Sequence, residues 1–227
     1  IILLIEKVRR NVRWKSLKRE QLQVYFVMGS VNVKKGNPLE VLERALKGGI
    51  TMFQFREKGK RARTGIEYER LAHECHRLCK QYQVPFIVND DVNLALELDA
   101  DGVHIGQEDG RVDEVRARIG SKWLGVSVHS KEEAAIAYRA KADYVGIGPV
   151  FGTKSKENAP PPAGTALIAE TKILYPDLPI VAIGGVTGEN AHIPRSAGAD
   201  GVALISWICE SDHIEEDIKR LKELSVL

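Results

Sequence analysis

The feature that most limits the fold of this chain is a regular alternation of short apolar runs and longer amphipathic stretches. Eight runs rich in β-branched and other apolar residues have the character of strands, and a stretch with helical spacing of its apolar residues follows each one. The predicted strands are residues 24–28, 51–56, 85–89, 102–105, 123–126, 144–148, 179–183 and 201–205. The predicted helices are residues 38–47, 65–81, 92–98, 112–119, 131–140, 165–174, 189–197 and 213–224.

Eight strand–helix units predict an α/β protein with one closed (β/α)8 TIM barrel. Alternating strands and helices are typical of a parallel sheet, and 227 residues suit a single barrel domain. An open, doubly wound sheet with extra strands is the alternative. We expect residues 24–227 to form the barrel. Residues 1–23 are basic and irregularly amphipathic, and we interpret them as a helical extension that covers the barrel floor, with an interaction tail as the alternative.

Composition and charge exclude several classes of partner. The chain has 33 Lys and Arg against 31 Asp and Glu, and these residues interleave, which argues against a nucleic-acid partner. The apolar run at residues 1–5 is too short for a membrane span, so no membrane partner is expected. Three cysteines cannot form a disulfide framework, which predicts a reducing, cytoplasmic location.

Polar residues follow the second, third and fourth predicted strands. In a TIM barrel the chemistry lies at the carboxyl ends of the strands, which directs attention to these positions. Gln54, Arg56 and Lys58 alternate and therefore face one side, although a solvated strand end would give the same pattern. Asp90 and Asp109 end adjacent strands, where two carboxylates can hold a hard cation such as Mg²⁺. Two unrelated helix N-caps are the alternative for this pair.

The later strand ends offer hydroxyls and a lysine. Ser127 follows the fifth strand and should lie inside the mouth of the barrel. The loop after the sixth strand contains Thr153, Ser155 and Lys156, which suit a phosphate clamp on a lid, or else a flexible solvated loop. Ser130, in contrast, is interpreted as the N-cap of the next helix.

The seventh and eighth strand ends predict a phosphate site. The seventh ends in Gly184 and Gly185, and the eighth in Ile205 and Ser206. Glycines let backbone N–H groups approach a phosphate closely, and these two loops are where many TIM barrels bind one.

Six motifs, in order along residues 24–209, resemble those of the thiamin phosphate synthase family. They are Gln54-Phe-Arg-Glu-Lys58, Val88-Asn-Asp-Asp91, His104-Ile-Gly-Gln-Glu-Asp109, Gly125-Val-Ser127, Gly146-Ile-Gly-Pro149 and Ile183-Gly-Gly185. The resemblance implies a (β/α)8 transferase of thiamine biosynthesis that joins hydroxymethylpyrimidine diphosphate to thiazole phosphate. It also implies that the reaction depends on Mg²⁺ and releases pyrophosphate.

The resemblance further implies a role for each matching position. Gln54, Arg56 and Lys58 are implied to contact the pyrimidine diphosphate. Asn89 and His104 are implied to lie close to the same substrate, and Ser127 near the leaving pyrophosphate. The implied ligands of Mg²⁺ are Asp90 and Asp109. Gly185 and Ser206 match the family's thiazole-phosphate site, with Ile205 beside it. Thr153, Ser155 and Lys156 match the family's hydroxyl-and-lysine loop. The implied catalytic groups are Arg56, Lys58, Ser127 and Lys156.

Two other functions remain open at this point. One is a thiazole tautomerase-like barrel, which binds thiazole phosphate but needs no pyrophosphate clamp; the set Arg56, Lys58, Asp90 and Asp109 argues against it. The other is a noncatalytic, regulatory barrel that binds a ligand. The expected partners are small-molecule substrates, and the oligomeric state is open, with a homo-oligomer among the alternatives.

Overall fold

The eight predicted strands form a closed parallel barrel in chain order, with β8 paired to β1. The computed structural model describes residues 16–153, 155 and 161–223. The strands are β1 (Val24–Met28), β2 (Met52–Phe55), β3 (Phe86–Asn89), β4 (Gly102–Ile105), β5 (Trp123–Val128), β6 (Tyr144–Ile147), β7 (Ile180–Ile183) and β8 (Gly201–Leu204). The (β/α)8 prediction is confirmed, and the open-sheet alternative is wrong.

The helices lie outside the barrel, where they cover the strands. They are α1 (Pro38–Gly48), α2 (Gly65–Gln81), α3 (Val92–Glu97), α4 (Val112–Ile119), α5 (Lys131–Arg139), α6 (Ala166–Leu174), α7 (His192–Ser196), α8 (Ser206–Cys209) and α9 (Ile214–Glu223). The predicted N-cap is present: the Ser130 hydroxyl accepts from the Glu133 amide. Asp91 caps α3 in the same way, since its carboxylate accepts from the Leu94 amide. The short helix α8 was not predicted, because its four residues are too few to show a helical period.

Two hydrophobic layers hold the barrel together. The larger one lies between the strands and the helices, and the smaller one fills the barrel interior. The interior layer is formed by Leu22, Tyr25, Val27, Met52, Ile87, Trp123, Tyr144, Val181 and Ala203. Strands that are covered on both faces are apolar throughout, which explains why they are continuous runs in the sequence.

The amino end of the barrel is closed by the segment before β1. Residues 1–15 of the predicted extension lie outside the described residues, so the helical extension stays a prediction. Arg19–Leu22 form a 3-10 helix, and the Leu22 side chain is fully buried in the interior layer. Arg19 pairs with Asp200, whose carboxylate also accepts from the Ile180 amide at 2.8 Å. The floor is thus tied to β7 and to the residue that precedes β8.

None of the helices in the described ranges combines the length and the apolar character that crossing a bilayer requires.

We expect Leu22→Ala to lower the free energy of unfolding by about 2–5 kcal/mol, because it removes buried methyl groups at a site that closely packed strands cannot refill. Urea denaturation measures this change. Leu174→Ala is the matched control, since that leucine is 53% exposed and should cost about 0.5 kcal/mol or less. Equal losses in the two variants would show that Leu22 is not part of the core.

Candidate functional site

One cavity opens at the carboxyl ends of the strands and collects nearly all of the predicted site residues. The predicted residues that line it are Gln54, Arg56, Lys58, Asn89, Asp90, His104, Asp109, Ser127, Thr153, Ser155, Gly185, Ile205 and Ser206. Lys156 lies outside the described residues, so its placement stays a prediction. Because these side chains come from β2 to β8 and their loops, only closure of the barrel brings them together.

Three charged groups form a cluster on the side of β2, β3 and β4. Lys58 Nζ lies 2.7 Å from Asp90 Oδ2 and 3.4 Å from Asp109 Oδ1. The Gly106 amide donates to Asp109 Oδ2 at 2.9 Å, and the Asp90 amide donates to the His104 carbonyl at 2.8 Å. Asp90 has a φ of 64°, which an aspartate tolerates better than most residues, and the bond to His104 holds this backbone in place.

Burial and proximity separate the acidities of the two carboxyl groups. Burial raises the pKa of Asp90, the neighbouring Asp109 adds to the rise, and the hydrogen bond from Lys58 offsets part of it. Burial also acts to raise the pKa of Asp109. Hydrogen bonds from Asp90 and the Gly106 amide, together with the charge of Lys58, outweigh burial, so the pKa of Asp109 is lowered. The pair therefore has a strong and a weak acid, and a cation between them favours full ionisation of both.

The pKa values of the two cationic groups, Lys58 and Arg56, shift in opposite directions in this environment. The hydrogen bond to Asp90 raises the pKa of Lys58, so this ammonium group stays charged. Burial lowers the pKa of Arg56, and the charges of Asp90 and Asp109 oppose that change. A half-buried guanidinium that carboxylates stabilise is well suited to bind an anion beside a metal.

The donor set of the pair fits Mg²⁺. Asp90 and Asp109 offer hard carboxylate oxygens, and the position of Lys58 Nζ shows that a positive charge is accommodated next to both. No cluster of three or more histidine, cysteine or acidic ligands occurs within residues 16–153, 155 and 161–223. The two carboxylates match an ion that keeps water or takes phosphate oxygens as its other ligands.

A second polar face lies across the cavity, at the ends of β7 and β8. Gly184 and Gly185 have φ values of 95° and 64°, which few other residues adopt. The Gly184 carbonyl accepts from the Phe151 amide at 2.9 Å, and the Gly185 carbonyl accepts from Asn190 Nδ2 at 3.0 Å. Ile205 and Ser206 line the cavity beside this loop.

Close packing explains why position 185 is a glycine. A Cβ atom there would lie 2.5 Å from the Gly152 carbonyl oxygen and 2.7 Å from Phe151 Cβ. The sequence suggested that glycine gives a phosphate access to backbone donors. The structure adds a second reason, namely that the loop after β6 packs directly on Gly185.

Several residues of the cavity were missed by reasoning from the sequence. The missed polar residues are Tyr25, Tyr144 and His129. Tyr25 and Tyr144 sit inside apolar strands, where a single tyrosine has the same pattern as any large hydrophobic residue. Alternation along the strands could have shown that both tyrosines face the barrel interior. A buried tyrosine hydroxyl requires a polar partner, so this position would have indicated polar groups inside the barrel.

Glu57 lies within the second-strand motif but is not among the residues that line the main cavity. Its carboxylate accepts from the Ser30 amide at 2.6 Å, from the Ser30 hydroxyl, and from the Arg63 amide at 2.8 Å. These bonds join the loop after β1 to the loop after β2. Glu57 therefore supports the segment from which Arg56 and Lys58 project.

Comparison with known proteins identifies relatives over almost the whole chain. The family model for thiamine monophosphate synthase matches residues 24–208. A thiamine-phosphate synthase of Lysinibacillus sphaericus is 56% identical over 209 residues, which is 92% of this chain and 98% of that protein. A thiamine-phosphate synthase of Anoxybacillus flavithermus is 55% identical over 206 residues, or 91% of this chain and 94% of the relative.

A solved structure has a fold similar to that of this chain. The thiamine phosphate pyrophosphorylase from Pyrococcus furiosus superposes with a TM-score of 0.79 at 29% sequence identity. The match covers 92% of this chain and 97% of the other. The barrel and the curated relatives therefore agree on one family.

Proposed function

Because the chain belongs to the thiamine monophosphate synthase family, we infer that the cavity at the mouth of its barrel is the active site for that family's reaction. The protein is a transferase of thiamine biosynthesis that joins hydroxymethylpyrimidine diphosphate to thiazole phosphate and releases pyrophosphate. The observation that supports the assignment to this cavity is its pair of opposed polar faces, one with charged side chains from β2, β3 and β4 and one with the glycine loop after β7 and Ser206. In the closed barrel β3 lies across from β7, and β4 across from β8.

The face formed by β2, β3 and β4 is assigned to the pyrimidine diphosphate. Arg56 and Lys58 bring two positive charges to it, and Gln54, Asn89 and His104 bring neutral polar groups. Asp90 and Asp109 are the proposed ligands of Mg²⁺, which supplies positive charge to the diphosphate when it is bound. These charges favour pyrophosphate as a leaving group.

The opposite face is assigned to the thiazole phosphate. Gly185 and Ser206 are the proposed phosphate contacts, with Ile205 beside the ring. Thr153 and Ser155 lie in the loop after β6, which packs on Gly185 and so borders this face. The thiazole is thereby held across the cavity from the diphosphate, with the reacting carbon between the two.

The proposed reaction is a dissociative substitution. The bond between the methylene carbon and the diphosphate oxygen breaks, and its electron pair leaves with pyrophosphate. The aminopyrimidine ring spreads the positive charge that remains, and the thiazole nitrogen then donates its lone pair to form the new carbon–nitrogen bond. No proton has to be removed from that nitrogen, so no general base is required.

Ser127 and Lys156 are the proposed donors to the leaving pyrophosphate. Negative charge on the departing oxygen grows as the carbon–oxygen bond breaks, so a fixed donor there binds the transition state better than the ground state. Ser127 lies at the end of β5 and lines the cavity. A cytoplasmic location and homo-oligomerisation remain predictions.

The proposed function predicts that the purified protein converts the two substrates, with Mg²⁺, to equal amounts of thiamin phosphate and pyrophosphate. Chromatography of thiamin phosphate and an enzymatic pyrophosphate assay measure the products. Reactions that lack either substrate are the controls. If both substrates bind but no pyrophosphate appears, the function is wrong and a noncatalytic barrel is favoured.

For the metal site, we expect Asp90→Asn and Asp109→Asn each to raise the half-saturating Mg²⁺ concentration about tenfold or more, because each variant removes a charged oxygen ligand. Initial rates over a range of Mg²⁺ concentrations measure the effect. Asp99→Asn is the matched control, since that aspartate is exposed and pairs with Lys122 near the start of β5, at the other end of the barrel. Unchanged Mg²⁺ dependence in both site variants would reject the assignment.

For the phosphate site, we expect Gly185→Val to weaken thiazole phosphate binding about tenfold or more, since valine fits neither the φ of 64° nor the space beside Gly152. Calorimetry with thiazole phosphate measures the affinity. Gly120→Val controls for backbone strain, because Gly120 has a φ of 60°, lies at the far end of the barrel, and has open space within 4 Å of where a Cβ atom would sit. Wild-type affinity in a folded Gly185→Val protein would place the phosphate elsewhere.

A further inference from the structure

A continuous chain of buried hydrogen bonds runs beneath the cavity and ends at Ser127. Gln54 Nε2 donates to the Tyr25 hydroxyl at 2.7 Å, and the hydroxyls of Tyr25 and Tyr144 are 2.7 Å apart. The Tyr144 hydroxyl is 3.1 Å from His104 Nδ1, and His104 Nε2 is 2.9 Å from Ser127 Oγ. Five side chains from β1, β2, β4, β5 and β6 are therefore linked in one series.

Strands β4, β5 and β6 leave space for this chain of hydrogen bonds. His104 and Tyr144 are the register partners of Gly125 on its two sides, in β4 and β6. A Cβ atom on Gly125 would lie 2.2 Å from Tyr144 Cζ and 2.4 Å from His104 Nδ1. The contact between the histidine and the tyrosine thus occupies the space that a side chain at position 125 would need.

The direction of the hydrogen-bond chain is set by the orientation of the Gln54 amide, whose nitrogen faces the Tyr25 hydroxyl. The Gln54 amide nitrogen can only donate, so the Tyr25 oxygen accepts and the Tyr25 hydrogen must go elsewhere. Tyr144 is the other partner of Tyr25 within the described part of the chain, and a buried hydroxyl without an acceptor is costly. Tyr25 therefore donates to Tyr144, which leaves the Tyr144 hydrogen for His104 Nδ1.

The same reasoning determines which ring nitrogen of His104 carries the proton. A ring nitrogen that accepts a hydrogen bond carries no proton, so a His104 ring that accepts at Nδ1 is neutral and carries a single proton. Because Nδ1 accepts from Tyr144, the proton is on Nε2, which donates to Ser127 Oγ. Burial raises the pKa of both tyrosines, which keeps their hydrogens in place. Because Ser127 Oγ accepts from His104, the hydroxyl hydrogen of Ser127 is left for the cavity.

We propose that this hydrogen-bond chain directs the Ser127 hydroxyl hydrogen toward the leaving diphosphate, and that Tyr25, Tyr144 and His104 are positioning residues for it. The inference rests on the proposed function, in which Ser127 donates to the departing oxygen. The reverse chain would turn the Ser127 hydrogen toward His104 and remove this donor from the cavity.

The first test is the protonation site of His104 in the protein without substrates. Two-dimensional ¹⁵N–¹H spectra of the histidine side chains distinguish the two neutral forms, and His104→Asn identifies the signal. We expect the wild-type ring to be protonated on Nε2, and the Tyr144→Phe ring to populate both forms. A wild-type ring protonated on Nδ1 would reverse the chain and overturn the proposal.

The second test is a double-mutant cycle that measures single-turnover cleavage of the pyrimidine diphosphate. Ser127→Ala should slow cleavage about 10²–10³-fold, as the loss of one preorganised donor does. Tyr144→Phe should slow it about tenfold and leave binding of the pyrimidine diphosphate nearly unchanged. In the Ser127→Ala background, Tyr144→Phe should cost about twofold or less, because it acts through the missing hydroxyl.

Tyr82→Phe is the matched control, since it removes a hydroxyl that bonds Glu43 outside the barrel. Thermal unfolding of each variant checks that the barrel is intact. Additive losses in the cycle would show that Tyr144 acts independently of Ser127 and would overturn the proposal. A wild-type protein that releases no pyrophosphate would instead refute the proposed function, while the spectra still report the direction of the chain.

Discussion

Closure of the parallel barrel is the constraint on which the rest of the structure depends. Each strand pairs with its sequence neighbour, and the pairing of β8 with β1 leaves no free edge. All eight carboxyl ends therefore meet around one opening, and side chains as distant in sequence as Gln54 and Ser206 line the same cavity. The floor is closed by Leu22, so the interior can be reached from the other end.

In the proposed function, this geometry separates the anionic groups of the two substrates. The charged residues of β2, β3 and β4 lie on one side of the opening, and the glycine loop of β7 with Ser206 lies on the other. Had both anion sites been built from adjacent strands, two phosphorylated substrates would have repelled each other at close range. The proposed binding to opposed faces would let the reacting carbon and nitrogen approach while the phosphates stay apart.

The sequence was informative wherever a residue type is unusual for its position. β1 and β4 have the predicted bounds, and polar residues such as Arg56 and Asp90 stand out at the ends of apolar strands. Strand ends were less predictable, because the two residues by which β5 exceeds its prediction depend on pairing with β6. Tyr25 and Tyr144 were missed for a related reason: the hydrogen-bond partners of their hydroxyls lie on other strands, and the sequence does not show which side chains of different strands meet.

The interior chain of polar groups shows how such hidden residues can matter. Replacing Gln54, Tyr25, Tyr144 and His104 together by apolar residues of similar size would remove these buried polar groups from the barrel core, and cores of that kind are often at least as stable. Stability alone therefore does not explain why these residues are present. In the low-dielectric interior, the donor-to-acceptor direction of each hydrogen bond fixes the direction of the next. The whole series of hydrogen bonds can therefore run in only two directions. The amide of Gln54 selects one of them, so a group on β2 determines the orientation of a hydroxyl on β5. An active site that must meet new negative charge without rearrangement gains from a donor that is oriented before the substrate arrives.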